Sequence, residues 1–419
     1  MFNLKKILVV VESINVEDSS GSKANVAMIK NLHKAGFDLK VYHYTRNDLK
    51  INGVPCYAIP EKRRSSLFFL SRIERYIRYL FKIQLNKPLE HLFGFSFTLF
   101  NDRKSIISAL KKDTNFKPDL VLTLSKGGSF RPHHALLKMP EWHKIWMAYI
   151  HDPYPMHLYP RPFAWVEPGY SKKWEFMNDI SEKAAFNAFP SKLLMEWMGS
   201  YFPGFLQKGV VIPHQIDSAP STPDALPEFF NVKGFNLLHA GTLLGPRKPE
   251  FLIQAFKSFL ELHPEASIDA KLIFIGNTNE HQKQLQKYEK LISKANFVVQ
   301  SSLDSKIVLG MQEQASVNII LEAKSEISPF LPGKFPHCVK ANKPILLLGP
   351  QLSETRRLLG EAYPYWAEID ETEKISEMIS DLYKDWKFNA GNLELNRPDL
   401  EQYLSEGHLK LVIDTLKIK

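Results

Sequence analysis

The 419-residue chain is 44% hydrophobic and 24% charged, close to the average for packed globular proteins, which excludes a disordered or fibrous molecule. It is too long for one ordinary core, so two domains are expected. Its net charge of +9 is uneven: residues 1–215 hold 31 Lys and Arg against 18 Asp and Glu, and residues 216–419 hold 23 against 27, so the first half suits an anionic partner and the second half another task.

The chain enters a strand at Lys6–Val11, passes a small polar loop, Ser19-Ser20-Gly21-Ser22, and continues into an amphipathic helix from about Lys23 to Lys34 and a strand over Asp38–His43. This is a βαβ opening. Apolar runs at 119–124, 145–150, 185–189 and 209–213 read as further buried parallel strands. From Phe235 the cycle restarts, with strands over 236–240, 271–275, 296–300, 317–321 and 344–348 and a helix over 249–261. The proline-bearing stretch Ser218–Pro227, with Pro220, Pro223 and Pro227, is the expected linker. Two doubly wound α/β domains in tandem are expected to bind ligand in a cleft at the carboxyl ends of their sheets.

Between Lys62 and Lys87 stand eight Lys and Arg. Leu67–Gln84 reads as a helix with Arg72, Arg75, Arg78 and Lys82 on one side and Leu70, Ile73, Ile77, Leu80 and Phe81 on the other. Residues 62–87 are therefore either a loose contact with an anionic membrane surface or an ordinary helix with a solvated basic face. No recognition helix, RNP-like pattern or zinc finger accompanies the charge, so nucleic acid is not an expected partner. Cys56 and Cys338 show neither metal-ligand spacing nor a disulfide framework, which fits a reducing compartment. No apolar run reaches the roughly 18 residues of a membrane span and no signal-peptide pattern is evident. The expected location is the cytoplasm, free or peripheral on the inner face of the cell membrane.

Chemistry concentrates in three segments. In His239-Ala240-Gly241-Thr242-Leu243-Leu244-Gly245-Pro246-Arg247 a strand runs into a glycine turn, a guanidinium and a helix start, a combination that suits a phosphate. In Pro332-Gly333-Lys334-Phe335-Pro336-His337 a lysine stands at a helix entrance. In His151-Asp152-Pro153-Tyr154 a histidine ends a strand and opens an aromatic, proline-rich loop that either covers a bound ligand, with Asp152 and Tyr154 contacting it, or is a stiff packed loop.

The Gly21-Ser22 loop, the Gly241-Thr242 turn with Arg247, the Gly333-Lys334 helix and the closing Lys343-Pro344-Ile345 together resemble the GT-B glycosyltransferases related to the retaining bacterial sugar transferases of family 4. The resemblance spans nearly the whole chain through order and spacing. It implies an N-terminal Rossmann-like acceptor domain over 1–217, a C-terminal Rossmann-like donor domain over 218–395, and a helix over 396–419 that crosses back to the first domain. It further implies that Arg247 and Lys334 neutralise the diphosphate of a nucleotide-sugar donor, with Gly21, Ser22, Gly241 and Thr242 around the phosphates. His151 would lie beside the transferred sugar, and Gly276, Val299 and Leu303 would wall the base.

One departure stands out. Relatives carry two glutamates eight positions apart, and here that register falls on Pro329 and on His337, whose imidazole would take over contact with the ribose. With no Asp-x-Asp and with Asp18, Asp152 and Asp217 isolated, no metal or other cofactor is expected, the two cations standing in its place. The expected function is a retaining, hexosyltransferase-like transfer from a nucleoside-diphosphate sugar to a glycan or a lipid-linked acceptor. The alternatives are a sugar-nucleotide epimerase or hydrolase, which needs a carboxylate pair, and a catalytically silent glycan- or nucleotide-binding partner.

Overall fold

The computed structural model describes residues 6–217 and 226–417; most of the expected linker, including Pro220 and Pro223, lies outside them. The chain forms two compact units. The first comprises residues 1–159, 163–215 and 404–419, the second 160–162 and 216–403.

The first unit is built on a parallel seven-stranded sheet. Its strands are β1 (Lys6–Val11), β2 (Asp38–His43), β3 (Cys56–Ala58), β4 (Leu120–Leu124), β5 (Trp146–Tyr149), β6 (Phe186–Phe189) and β7 (Gly209–Val211), in the order β3-β2-β1-β4-β5-β6-β7. β1 and β4 are buried along almost their whole length because helices cover both faces, which is why they read as unbroken apolar runs. Val9 and Val11 face one core cluster with Ile29 and Leu32, while Leu8 and Val10 face another with Trp146 and Phe205. Helix α1 (Ser20–Lys34) starts earlier than expected. Ser19 caps it, taking the Ser22 amide at 3.1 Å, so Gly21 and Ser22 form its first turn and not a loop. Three more helices follow before β4: α2 (Ser66–Phe81), α3 (Asn86–Phe93) and α4 (Phe97–Leu110). The last helix of the chain, Glu406–Asp414, packs on α1 and buries Leu409 and Ile413 in the core of this first unit.

The second unit carries β8 (Phe235–Ala240), β9 (Ala270–Ile275), β10 (Phe297–Gln300), β11 (Val317–Leu321), β12 (Ile327–Ser328), β13 (Ile345–Leu348), β14 (Leu352–Ser353) and β15 (Trp366–Ala367). Its main sheet is parallel, in the order β10-β9-β8-β11-β13-β15, and β12 pairs with β14 apart from it. Alternate residues of β8 and β9 feed two cores: Leu237, Leu272 and Phe274 pack with Phe256 and Phe259 of the helix Glu250–Leu262, while Leu238, Ile273 and Ile275 pack with Met311. In each sheet the strand order reverses beside the first strand of the unit, between β1 and β4 and between β8 and β11. At such a reversal the connections leave in opposite directions and open a crevice beyond the strand ends.

Candidate functional site

In the second unit β8 ends at Gly241, whose φ of +145° is open only to glycine, and its amide is held by the Ile275 carbonyl at 2.8 Å. Gly276, at φ +129°, ends β9, and a Cβ there would stand 2.5 Å from the Gly241 carbonyl oxygen. The two glycines let the ends of adjacent strands press together. The loop beyond is pinned by Leu243 N–H to the Asn277 carbonyl and by Gly245 N–H to Glu280, and a turn from Leu244 to the Arg247 amide places Arg247 before the helix.

Lys334 comes to the same place from the other side of the reversal. It precedes the short helix Phe335–Lys340, donates to the Ile319 carbonyl of β11 at 3.2 Å, and its ammonium would lie 3.8 Å from a Cβ on Gly241. Loss of hydration pushes its pKa down to about 7, and the Arg247 charge pushes the same way. Both cations also depress the buried His239 of β8, though burial is the main cause. Arg247 and Lys334 therefore share one electrostatic neighbourhood.

A carboxyl completes it. Glu322, directly after β11, is buried and accepts from the Thr355 hydroxyl at 2.9 Å. Burial raises its pKa to about 6, opposed by hydrogen bonds from the Ser353, Thr355 and Ser328 hydroxyls and, last, by the Arg247 charge. Cys338, one turn beyond Lys334, is sealed in the interior, where Gln312 donates to its sulfur at 3.6 Å and desolvation raises the thiol to about 11. Thr242 is exposed at the turn, and His337 is half-buried on the short helix. The expected wall of the base divides: Val299 packs into the core under the helix Glu250–Leu262, whereas Leu303 packs with Leu238 and Ile273 on the opposite face of the sheet. These two side chains do not line one surface, because the strand ends at Gln300 and Leu303 lies beyond it, in the loop before the helix Ser305–Gln314.

In the first unit His151 follows β5 and is tied to α1. Asn25 donates through Nδ2 to the Ser125 carbonyl at 2.9 Å, so its Oδ1 faces His151 Nε2 at 3.0 Å as an acceptor. That order makes His151 a neutral imidazole protonated at Nε2. Desolvation holds its pKa well below the ordinary range, helped by His214, whose ring stacks at 5.8 Å and is itself pushed down to about 4 by burial.

Two sequence assignments are corrected here. Tyr154 is a core residue, 4% exposed and packed against Phe130 and Phe176, so it presents no face to an acceptor. Ser22 is fully buried in the first turn of α1, with its amide and hydroxyl both engaged by the capping Ser19. Gly21 retains space, the nearest atoms to a Cβ there being 3.8 Å or more away. Asp152 is half-buried beside His151.

Sequence reasoning missed Asn25, His214 and His239. Their common signal is a polar residue inside or directly after an apolar run. Beside Ser125, Glu12 binds Arg131 and the Lys126 amide at the end of β1, a charge network that fixes the β4 loop. Among the described residues no group of three His, Cys, Asp or Glu has a metal-holding arrangement, and no helix is long and apolar enough to cross a membrane.

No protein-family model and no curated protein matches the chain. Solved structures do. An E. coli trehalose-6-phosphate structure bound with UDP-2-fluoro glucose matches with a TM-score of 0.63 at 11% identity over 99% of this chain and 100% of that one. WaaG, a glycosyltransferase involved in lipopolysaccharide biosynthesis, matches with a TM-score of 0.58 at 12% identity over 98% of this chain and 100% of that one. The lipopolysaccharide outer core galactosyltransferase WaaB in its apo form gives 0.54 at 11% identity over 97% and 99%. The fold is thus GT-B, two doubly wound Rossmann-like units, shared along the whole length of chains of 11% and 12% identity.

Proposed function

We propose that this chain is a glycosyltransferase that moves a sugar from a nucleoside-diphosphate donor to a glycan or lipid-linked acceptor. The observation that supports the reading is the Lys334 ammonium standing beside Gly241, with the Arg247 charge felt at Lys334, at the β8/β11 reversal of a fold shared with a structure holding a UDP-sugar analogue. Breaking the bond from the anomeric carbon to the phosphate oxygen places growing negative charge on the diphosphate. Two fixed cations aimed there stabilise it without reorganising. Gly241 admits the phosphate close to the backbone.

Retention of configuration and independence of metal belong to the same proposal. The departing phosphate takes the acceptor's proton, and His151, neutral with its hydrogen on Nε2, orients a hydroxyl through Nδ1 and does not act as the main base. Pro329 and His337, in place of two glutamates, support a second reading in which the protein binds the donor without transfer.

Titration calorimetry with a panel of nucleoside diphosphates and their sugars, followed by product analysis, tests the proposal. Binding selective for one nucleotide is expected, and Arg247→Ala or Lys334→Ala should lower kcat/KM about 10²–10³-fold. Full activity in both variants would remove the diphosphate site. Tight donor binding with no product on any acceptor would favour the second reading.

A further inference from the structure

Helix α2 carries its polarity inside out. The residues it buries are polar: Ser71 and Glu74 are 1% and 7% exposed, the capping Ser65 donates to Asn101 of α4, and the Lys62 amide donates to Ser105 of α4. The outward side is apolar. Phe69, Ile73, Tyr76 and Leu80 are spaced four, three and four apart, a helical stripe, and each is more than half exposed. Tyr79 and Phe81 extend the stripe at its end, 85% and 65% exposed. Helix α3 has no buried residue and adds Leu92 and Phe93. An apolar surface of this extent facing water marks an interaction site.

The charges beside it identify the partner. From residue 62 to 88 every exposed charged side chain is basic: Lys62, Arg63, Arg64, Arg72, Arg78, Lys82 and Lys87. The acid within that range, Glu74, is turned inward. Arg72 lies over the Phe68 ring at the rim of the stripe, with its centre 5.0 Å away. An apolar stripe with tyrosines along it and cations at its edge matches a helix lying in the headgroup boundary of a bilayer. A second copy of the chain is a poor occupant, since pairing the stripes would set the two basic rims against each other.

We infer that α2 and α3 form a monotopic docking surface for an anionic phospholipid leaflet, entered by Phe69, Ile73, Tyr76 and Leu80 and steered by the surrounding arginines and lysines. This surface belongs to the first unit and does not depend on the glycosyl-transfer reading.

Co-sedimentation of the full chain with vesicles of phosphatidylcholine, with and without phosphatidylglycerol, tests it. Binding is expected to the mixed vesicles and to weaken with salt. Phe69→Ser with Ile73→Ser should reduce it roughly tenfold or more, the size expected when two large side chains no longer enter an apolar phase. Arg72→Glu with Arg78→Glu should abolish the preference for the anionic lipid. All four positions are exposed, so circular dichroism should remain that of the parent, and a Tyr79→Trp reporter should be quenched by bromine-labelled acyl chains. No pelleting with anionic vesicles at low salt, unchanged binding of both double variants, or a dimer lost on Ile73→Ser would each overturn the inference.

Discussion

Lys334 has lost the hydration an ammonium normally keeps, and this sets its response to pH. With its pKa near 7 and not the ordinary 10.5, the folded chain holds fewer protons than the unfolded chain between those values. Stability from this group therefore rises with pH across that window and is lost as pH falls through 7. Binding behaves in the opposite way. A diphosphate favours the charged lysine, so above pH 7 the site must take up a proton, and affinity for a nucleoside diphosphate should fall by up to about tenfold per pH unit. Lys334→Arg keeps its charge throughout and should flatten that slope, which calorimetry in buffers of differing ionisation enthalpy would detect. Arg247 and Lys334 were legible in the sequence because a glycine turn, a cation and a helix start are local features. The bond from His151 to Asn25 spans 126 positions, and the burial of Tyr154 and Ser22 is decided by what packs on them, so neither could be read from neighbouring residues.

Among the elements, long apolar strands such as β4, β8 and β11 were legible within a residue or so, since a strand buried on both faces needs an unbroken apolar run. β3 and β15, with three and two residues, carry too few side chains to show a period. The period of α2 was visible, but not which side faces the protein, because that is decided by its packing on α4, which comes later in the chain. The junction of β8 with β9 is the tightest backbone contact near the site. Gly276→Ala would force a Cβ to within 2.5 Å of the Gly241 oxygen at a positive φ, and should cost about 2–3 kcal/mol. A lower urea midpoint with an unchanged slope would register it, and nucleotide affinity should fall with it, since the phosphate turn begins at Gly241.

At the scale of the molecule, the order of the chain and the order of packing differ. Residues 404–419 follow the whole second unit, yet they complete the core of the first. Leu409→Ala should therefore cost about 2–5 kcal/mol, and hydrogen exchange should locate the loss in β1 and α1 while β8 and β9 keep their protection. Each unit also holds one thiol, Cys56 half-buried on the sheet-edge strand β3 and Cys338 closed beneath Lys334. The protein thus carries two native clocks. Alkylation of Cys56 times the breathing of one unit, and alkylation of Cys338 waits for the other to open. A nucleoside diphosphate at 100 times its Kd should slow the second about a hundredfold and leave the first running at its former pace.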